Sequence, residues 1–275
     1  MTVASQEREC IGLLESQATE GFYLNPILKY QPDRLTEVMQ RWDVLRRITA
    51  REFPAEKFVQ YIKLVAEAAQ GLLGAYTLDL ESYKKFNSQA GWAASATIRL
   101  IHTIDPRVSV LVAAENHAQA EIAIAECGAD GVIVNHDDEL SIREFYDRPN
   151  IGVFLRPPEY DRDGRLPHSW HSILSNFRGF MPDNFGIAAE GLRLLHIQAA
   201  RAALGSDKYL LSPDLPLGWK GYYQLEQLLP LVFNPGQRGF ICSSGIIFPE
   251  GREGELQQDA IRGTVLGLNK YLAVE

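Results

Sequence analysis

Cysteine is scarce in this sequence: three residues in 275, at Cys10, Cys127 and Cys242. They are odd in number, far apart and never spaced as CxxC, which excludes a zinc ribbon and a redox pair and leaves them to pack as small apolar residues. Basic runs are also missing. With Lys+Arg 27 against Asp+Glu 35, the formal charge is −8, and no stretch can track a phosphate backbone, so nucleic acid is excluded as a partner. No segment approaches the roughly 18 to 20 apolar residues that span a bilayer, and the first seventeen residues lack a basic start followed by an apolar core. The expectation is a soluble, cytoplasmic protein with no membrane partner. A GxSxG elbow, a P-loop and a GxGxxG fingerprint are all absent, which removes the common hydrolase, triphosphatase and dinucleotide-cofactor readings.

What is present is ordinary globular composition, 46% hydrophobic and 23% charged with 22 Gly and 14 Pro, in a chain long enough for a large core. Eight short apolar runs recur, at residues 10–14, 73–80, 108–114, 131–135, 151–156, 185–189, 209–213 and 239–243. Between them lie segments with helical periodicity at 33–49, 55–70, 90–102, 118–127, 141–145, 191–203, 222–229 and 256–271. Runs such as VSVLVAA and GVIVN are apolar at nearly every position, as strands covered on both faces are. Strands alternating with helices predict parallel pairing by right-handed crossovers, and eight units in this length predict a (β/α)8 TIM barrel as a single domain, residues 1–275. Residues 160–184 form the longest irregular stretch, polar and rich in Gly and Pro, a candidate lid or a surface loop.

In a barrel the site sits at the carboxyl ends of the strands. The residues closing the runs are Glu15 and Ser16; Asp79 and Glu81; Glu115, Asn116 and His117; Asn135, His136, Asp137 and Asp138; Arg156; Glu190; Ser212 with Asp214; and Ser243 with Ser244. Such a mouth is acidic, with one arginine and no lysine. Ser243, Ser244 and Gly245 offer amides and hydroxyls to a phosphate, or alternatively act as caps of a tight turn. Glu115, His117, His136, Asp137, Glu190 and Asp214 could converge on a divalent metal, although the HxxxH and HExxH spacings that place two ligands on one helical face are absent. His168 and His171 fall in the irregular stretch, and His102 and His196 on helices.

The segments GADGVIVNHDDELSIREF, NIGVFLRPP, FGIAAEGLRLLHIQAARAALGSDKYLLSPDLP and RGFICSSGIIFPEGREGELQQDAIRGTVLGLNKYL, with ECIGLL and LDLESYKKFNSQAG before them, resemble in order and spacing the orotidine 5'-phosphate decarboxylases of the longer bacterial type. The resemblance implies a TIM barrel, a homodimer, a phosphorylated small-molecule ligand, and decarboxylation of orotidine monophosphate without metal or organic cofactor. It also implies a pyrimidine-pathway partner, since that family is often fused to or complexed with orotate phosphoribosyltransferase. The family's D-x-K-x-x-D array after the third strand corresponds here to Ala113, Glu115 and Ala118. Its first-strand aspartate corresponds to Leu14, its second-strand lysine to about Gly74, its seventh-strand glutamine loop to residues 214–219, and its last arginine is missing from CSSGII. A carboxylate cannot supply positive charge to a developing carbanion.

Three readings stay open: a degenerate barrel without decarboxylase activity; a working lyase-type enzyme with Glu115 or His117 as general acid or base, with or without a metal; and a genuine decarboxylase. Asn135, Arg156, Asp214, Ser243 and Ser244 are the candidate ligand-binding residues. Trp92, near the start of the helix at 90–102, marks a candidate dimer face or packs on the barrel.

Overall fold

The structure, a computed structural model, describes residues 9–41, 54–161, 163, 165–177, 181–215, 226–230, 238–248 and 257–272. Eight parallel strands close in chain order: β1 (Leu24–Leu28), β2 (Ala75–Asp79), β3 (Ser109–Ala113), β4 (Gly131–Asn135), β5 (Gly152–Arg156), β6 (Phe185–Ala188), β7 (Tyr209–Leu211) and β8 (Arg238–Ser243). The barrel closes where Leu24, Asn25 and Pro26 pair with Ile241, Cys242 and Ser243. This is the predicted (β/α)8 fold.

Around it lie α1 (Cys10–Thr19), α2 (Pro32–Arg41), α3 (Pro54–Ala68), α4 (Leu80–Tyr83) with a 3-10 turn at Lys84–Gln89, α5 (Ala90–Ile104), α6 (His117–Ala125), α7 (Glu139–Tyr146), α8 (His168–Phe177), α9 (Leu194–Leu204) and α10 (Gln257–Leu272). Apolar faces of these helices pack with the strands into the outer core, while α1 packs into the barrel interior. In α3 the buried Phe58, Tyr61, Ile62 and Val65 recur at three- and four-residue spacing, the period of one helical face. The core is therefore two layers: a shell between strands and helices, and an interior cluster that includes Leu111, Ile133, Phe154, Tyr209 and Phe240.

The run at 10–14 is not a strand. It opens α1, whose buried residues Cys10, Leu14 and Gln17 are spaced by four and three, and Cys10 and Leu14 join the interior cluster. Arg238, the first residue of β8, pairs with Glu15 at 2.6 Å, so Glu15 and its neighbour Ser16 belong to the amino end of the barrel, opposite the mouth. The true first strand, LNPIL, hides behind Pro26, which has no N–H for a ladder. Leu14 is thus not a strand-end position, and Gly74 precedes β2. The irregular stretch at 160–184 contains α8, which carries His168 and His171. The helical segments at 33–49 and 222–229 lie in part outside the described residues, as does most of 214–219. All three cysteines are buried, and Trp92 is half exposed.

Cys10 fits at the barrel floor because β4 and β5 open with glycine. A Cβ on Gly131 would stand 2.6 Å from the Gly152 carbonyl oxygen, 2.9 Å from Leu111 Cδ2 and 3.2 Å from Cys10 Sγ. Gly131→Ala is expected to destabilise by roughly 1–3 kcal/mol, lowering Tm by several degrees in a thermal melt. Gly267→Ala, on α10 with open space around it, should raise Tm slightly, because helical glycine costs about 0.5–1 kcal/mol against alanine.

Candidate functional site

The carboxyl ends of the strands carry three ion-pair groups. Lys29, directly after β1, stands 3.7 Å from Asp79, the last residue of β2. Lys84, in the 3-10 turn, pairs with Glu81 at 2.5 Å and more closely still with Glu115, just beyond β3. Arg156, the last residue of β5, holds Glu190 at 3.0 Å. The mouth thus has two lysines as well as its arginine, and the expectation of none is corrected. Lys29 became visible only once β1 was placed, and Lys84 reaches the rim from a turn. Glu115 lies below its usual carboxylate range because Lys84 hydrogen-bonds it; Lys84 is correspondingly raised, first by Glu115 and then by Glu81.

Lys29, Asp79, Glu115, Arg156, Tyr160 and Glu190 are among the residues lining a cavity of about 620 Å³. A throat of about 50 Å³, lined in part by Thr77, Ala113, Leu211, Ser212, Asp214 and Cys242, leads into the interior cluster. Among the described residues six carboxylates, Asp79, Glu81, Glu115, Glu159, Glu190 and Asp214, line these two spaces against Lys29 and Arg156. At the throat Asn25 Nδ2 donates to Thr77 Oγ1 at 3.0 Å and to Cys242 Sγ at 3.5 Å. Burial, with Asp214 and Glu190 nearby, pushes the Cys242 thiol up, so it stays protonated and is no nucleophile. One wall is clasped by Tyr160, whose hydroxyl accepts the Arg193 N–H at 2.8 Å and lies in hydrogen-bond contact with His196 Nδ1 at 2.7 Å. Neither Tyr160 nor the buried Asn25 carried a signal in the sequence.

The other sequence candidates separate. Asn135 donates to the Glu115 carbonyl at 3.2 Å, bracing the turn after β3. His117 begins α6 and faces α7, with Nδ1 3.3 Å from Ser141 Oγ and Nε2 3.4 Å from Glu144; it does not join Glu115 in the cavity. His136 is buried, with Nε2 3.2 Å from Ser169 Oγ and its ring edge-on to Trp170 of α8. The six residues offered as metal ligands therefore do not converge. Ser243 caps the turn that follows β8, its hydroxyl accepting the Gly245 N–H at 3.2 Å. The Ser244 N–H donates to Asp214 Oδ1 at 2.7 Å. Asp214 thus holds one of the amides that the sequence offered to a phosphate.

No family model and no curated protein matches the chain. Solved structures do. Against Leishmania donovani UMP synthase the TM-score is 0.71 at 15% identity, over 97% of this chain and 56% of that one; the chain spans little more than half of that protein. Against Leishmania donovani OMP decarboxylase it is 0.71 at 16% identity, over 97% and 98%. Against Plasmodium berghei orotidine 5'-monophosphate decarboxylase it is 0.69 at 9% identity, over 96% and 99%. The chain has the fold of these decarboxylases, and identities this low carry the fold alone. Among the described residues no helix is long and apolar enough to cross a membrane.

Burial lowers the pKa of His136 from its ordinary value of 6.5, with Asp137 opposing. The fold therefore favours the neutral ring. Stability from this group is complete above pH 6.5 and drains as pH falls below it toward the lowered folded-state value. Thermal melts from pH 7.5 to 5 should show Tm falling, and the fall should be shallower in His136→Gln. Identical slopes for both proteins would refute this role for the ring.

Proposed function

We propose that this chain is a degenerate barrel of the orotidine 5'-phosphate decarboxylase kind, related to pyrimidine nucleotide chemistry by its fold and without decarboxylase activity on orotidine monophosphate. The observation that carries the reading is the charge at the end of β3. Decarboxylation needs a cation where negative charge develops. Here Ala113 faces the cavity, Glu115 follows it, and the ammonium that reaches this position, Lys84, is held on the rim by two carboxylates. A second observation supports it: the Ser244 amide is already taken by Asp214, a poor welcome for a nucleotide phosphate.

Purified protein mixed with orotidine monophosphate should leave the substrate's ultraviolet absorbance unchanged. Turnover that survives purification and falls at least tenfold in Lys29→Met or Lys84→Met would overturn the proposal, because a contaminating enzyme would ignore both substitutions.

One feature favours a second reading, a working acid-base lyase. Lys29 and Asp79 face each other across 3.7 Å within the cavity, with Arg156 also lining it, which is an acid, a base and an anion anchor in one space. The working groups would then be these, and not His117. On this reading a screen of small carboxylic acids should find one substrate whose turnover drops at least a hundredfold in Asp79→Asn, with the fold intact by circular dichroism. A screen in which no acid is consumed by the parent protein would reject it.

A further inference from the structure

On the outer wall, away from the mouth, α6 and α7 bring His117, Glu121 and Glu144 together so that one ligand atom of each lies within 4.8 Å of the others. These three side chains are aimed from behind. The buried Ser141 hydroxyl donates to Asp138 Oδ2 at 2.7 Å, so towards His117 Nδ1, 3.3 Å away, it has only a lone pair to offer. Nδ1 must therefore carry a proton. Nε2 is then the ring nitrogen that faces Glu144 Oε2, across 3.4 Å.

That contact is closed either by a proton on Nε2 or by a metal cation between the two atoms. On the far side Arg148 Nη1 holds Glu121 Oε1 at 2.8 Å and stands 3.9 Å from Glu144 Oε1, leaving Glu144 Oε2 towards the imidazole. Metal-binding histidines and carboxylates are typically oriented by such outer partners. A tetrahedral ion with bonds of about 2.0–2.1 Å spaces its ligand atoms about 3.4 Å apart, the spacing found between His117 and Glu144.

We propose that His117, Glu121 and Glu144 bind a divalent transition-metal ion of the Zn2+ class, with Ser141 and Arg148 as positioning residues. One imidazole nitrogen with two carboxylate oxygens selects such a borderline ion over Mg2+ or Ca2+, which prefer an all-oxygen shell. The three side chains are partly exposed, with 26% and 28% of the His117 and Glu121 side-chain surfaces accessible and 48% of Glu144, so an ion reaches them from solvent and water completes the shell.

The test is calorimetric titration of Zn2+ into the chelator-stripped full chain at pH 7.5, repeated with Mg2+. One equivalent of Zn2+ should bind, with at least tenfold weaker affinity in both His117→Gln and Glu144→Gln and no comparable Mg2+ heat. Glu144 is half exposed, so its substitution leaves the fold intact, and a thermal melt of each variant checks this. Absence of Zn2+ heat, or binding unchanged in Glu144→Gln, overturns the proposal and leaves an imidazolium-carboxylate ion pair in its place. Neither result bears on the mouth, since none of these residues lines it.

Discussion

A closed parallel barrel has two open ends, and in this chain one of them is filled from within. α1 lays Cys10 and Leu14 against Leu111, Ile133, Phe154 and Phe240, a packing possible only because Gly131 and Gly152 leave room for the thiol. Burying these groups removes apolar surface from water at roughly 25 cal/mol per Å², and the same burial makes the interior one-sided. Whatever the barrel binds enters from the carboxyl ends of the strands, and among the described residues the charged groups lining that opening stand at the end of a strand or shortly beyond.

Charges in that position are paired. Lys29 with Asp79, Lys84 with Glu81 and Glu115, and Arg156 with Glu190 form three separate ion-pair groups. Their exposure is substantial, 48% for Lys29 and 59% for Glu190, so water screens them and each contributes little to stability. Their effect is positional. A ligand entering the cavity competes for cations that already have partners, so its own groups must replace a carboxylate at least as well as the protein's do.

Much of this was legible in the sequence, for identifiable reasons. The strands GVIVN and SVLVA read correctly because burial on both faces leaves no polar position to confuse the period. β1 did not, because Pro26 interrupts it, and the helical run at 10–14 is short enough to pass for a strand. That single displacement removed Lys29 from view. Lys84 was hidden for a different reason: its partner Glu115 is 31 residues away, a distance over which no local pattern carries information. His117 follows the strand end closely in sequence, yet Asn116 caps α6 through the Gln119 N–H, and the helix that starts there carries the imidazole out to α7.

The turn after β8 shows how one side chain alters what a fold can hold. Backbone amides at the start of a helical turn attract anions, and here the Ser244 N–H has one already, the carboxylate of Asp214 at 2.7 Å. A phosphate arriving at this amide must displace that carboxylate and then remain beside it. Two like unit charges about 4 Å apart at an effective dielectric near 20 repel by about 4 kcal/mol, more than a single charge-assisted hydrogen bond returns. The carboxylate therefore acts as an internal anion that completes the turn and raises the barrier to a phosphate in the same place.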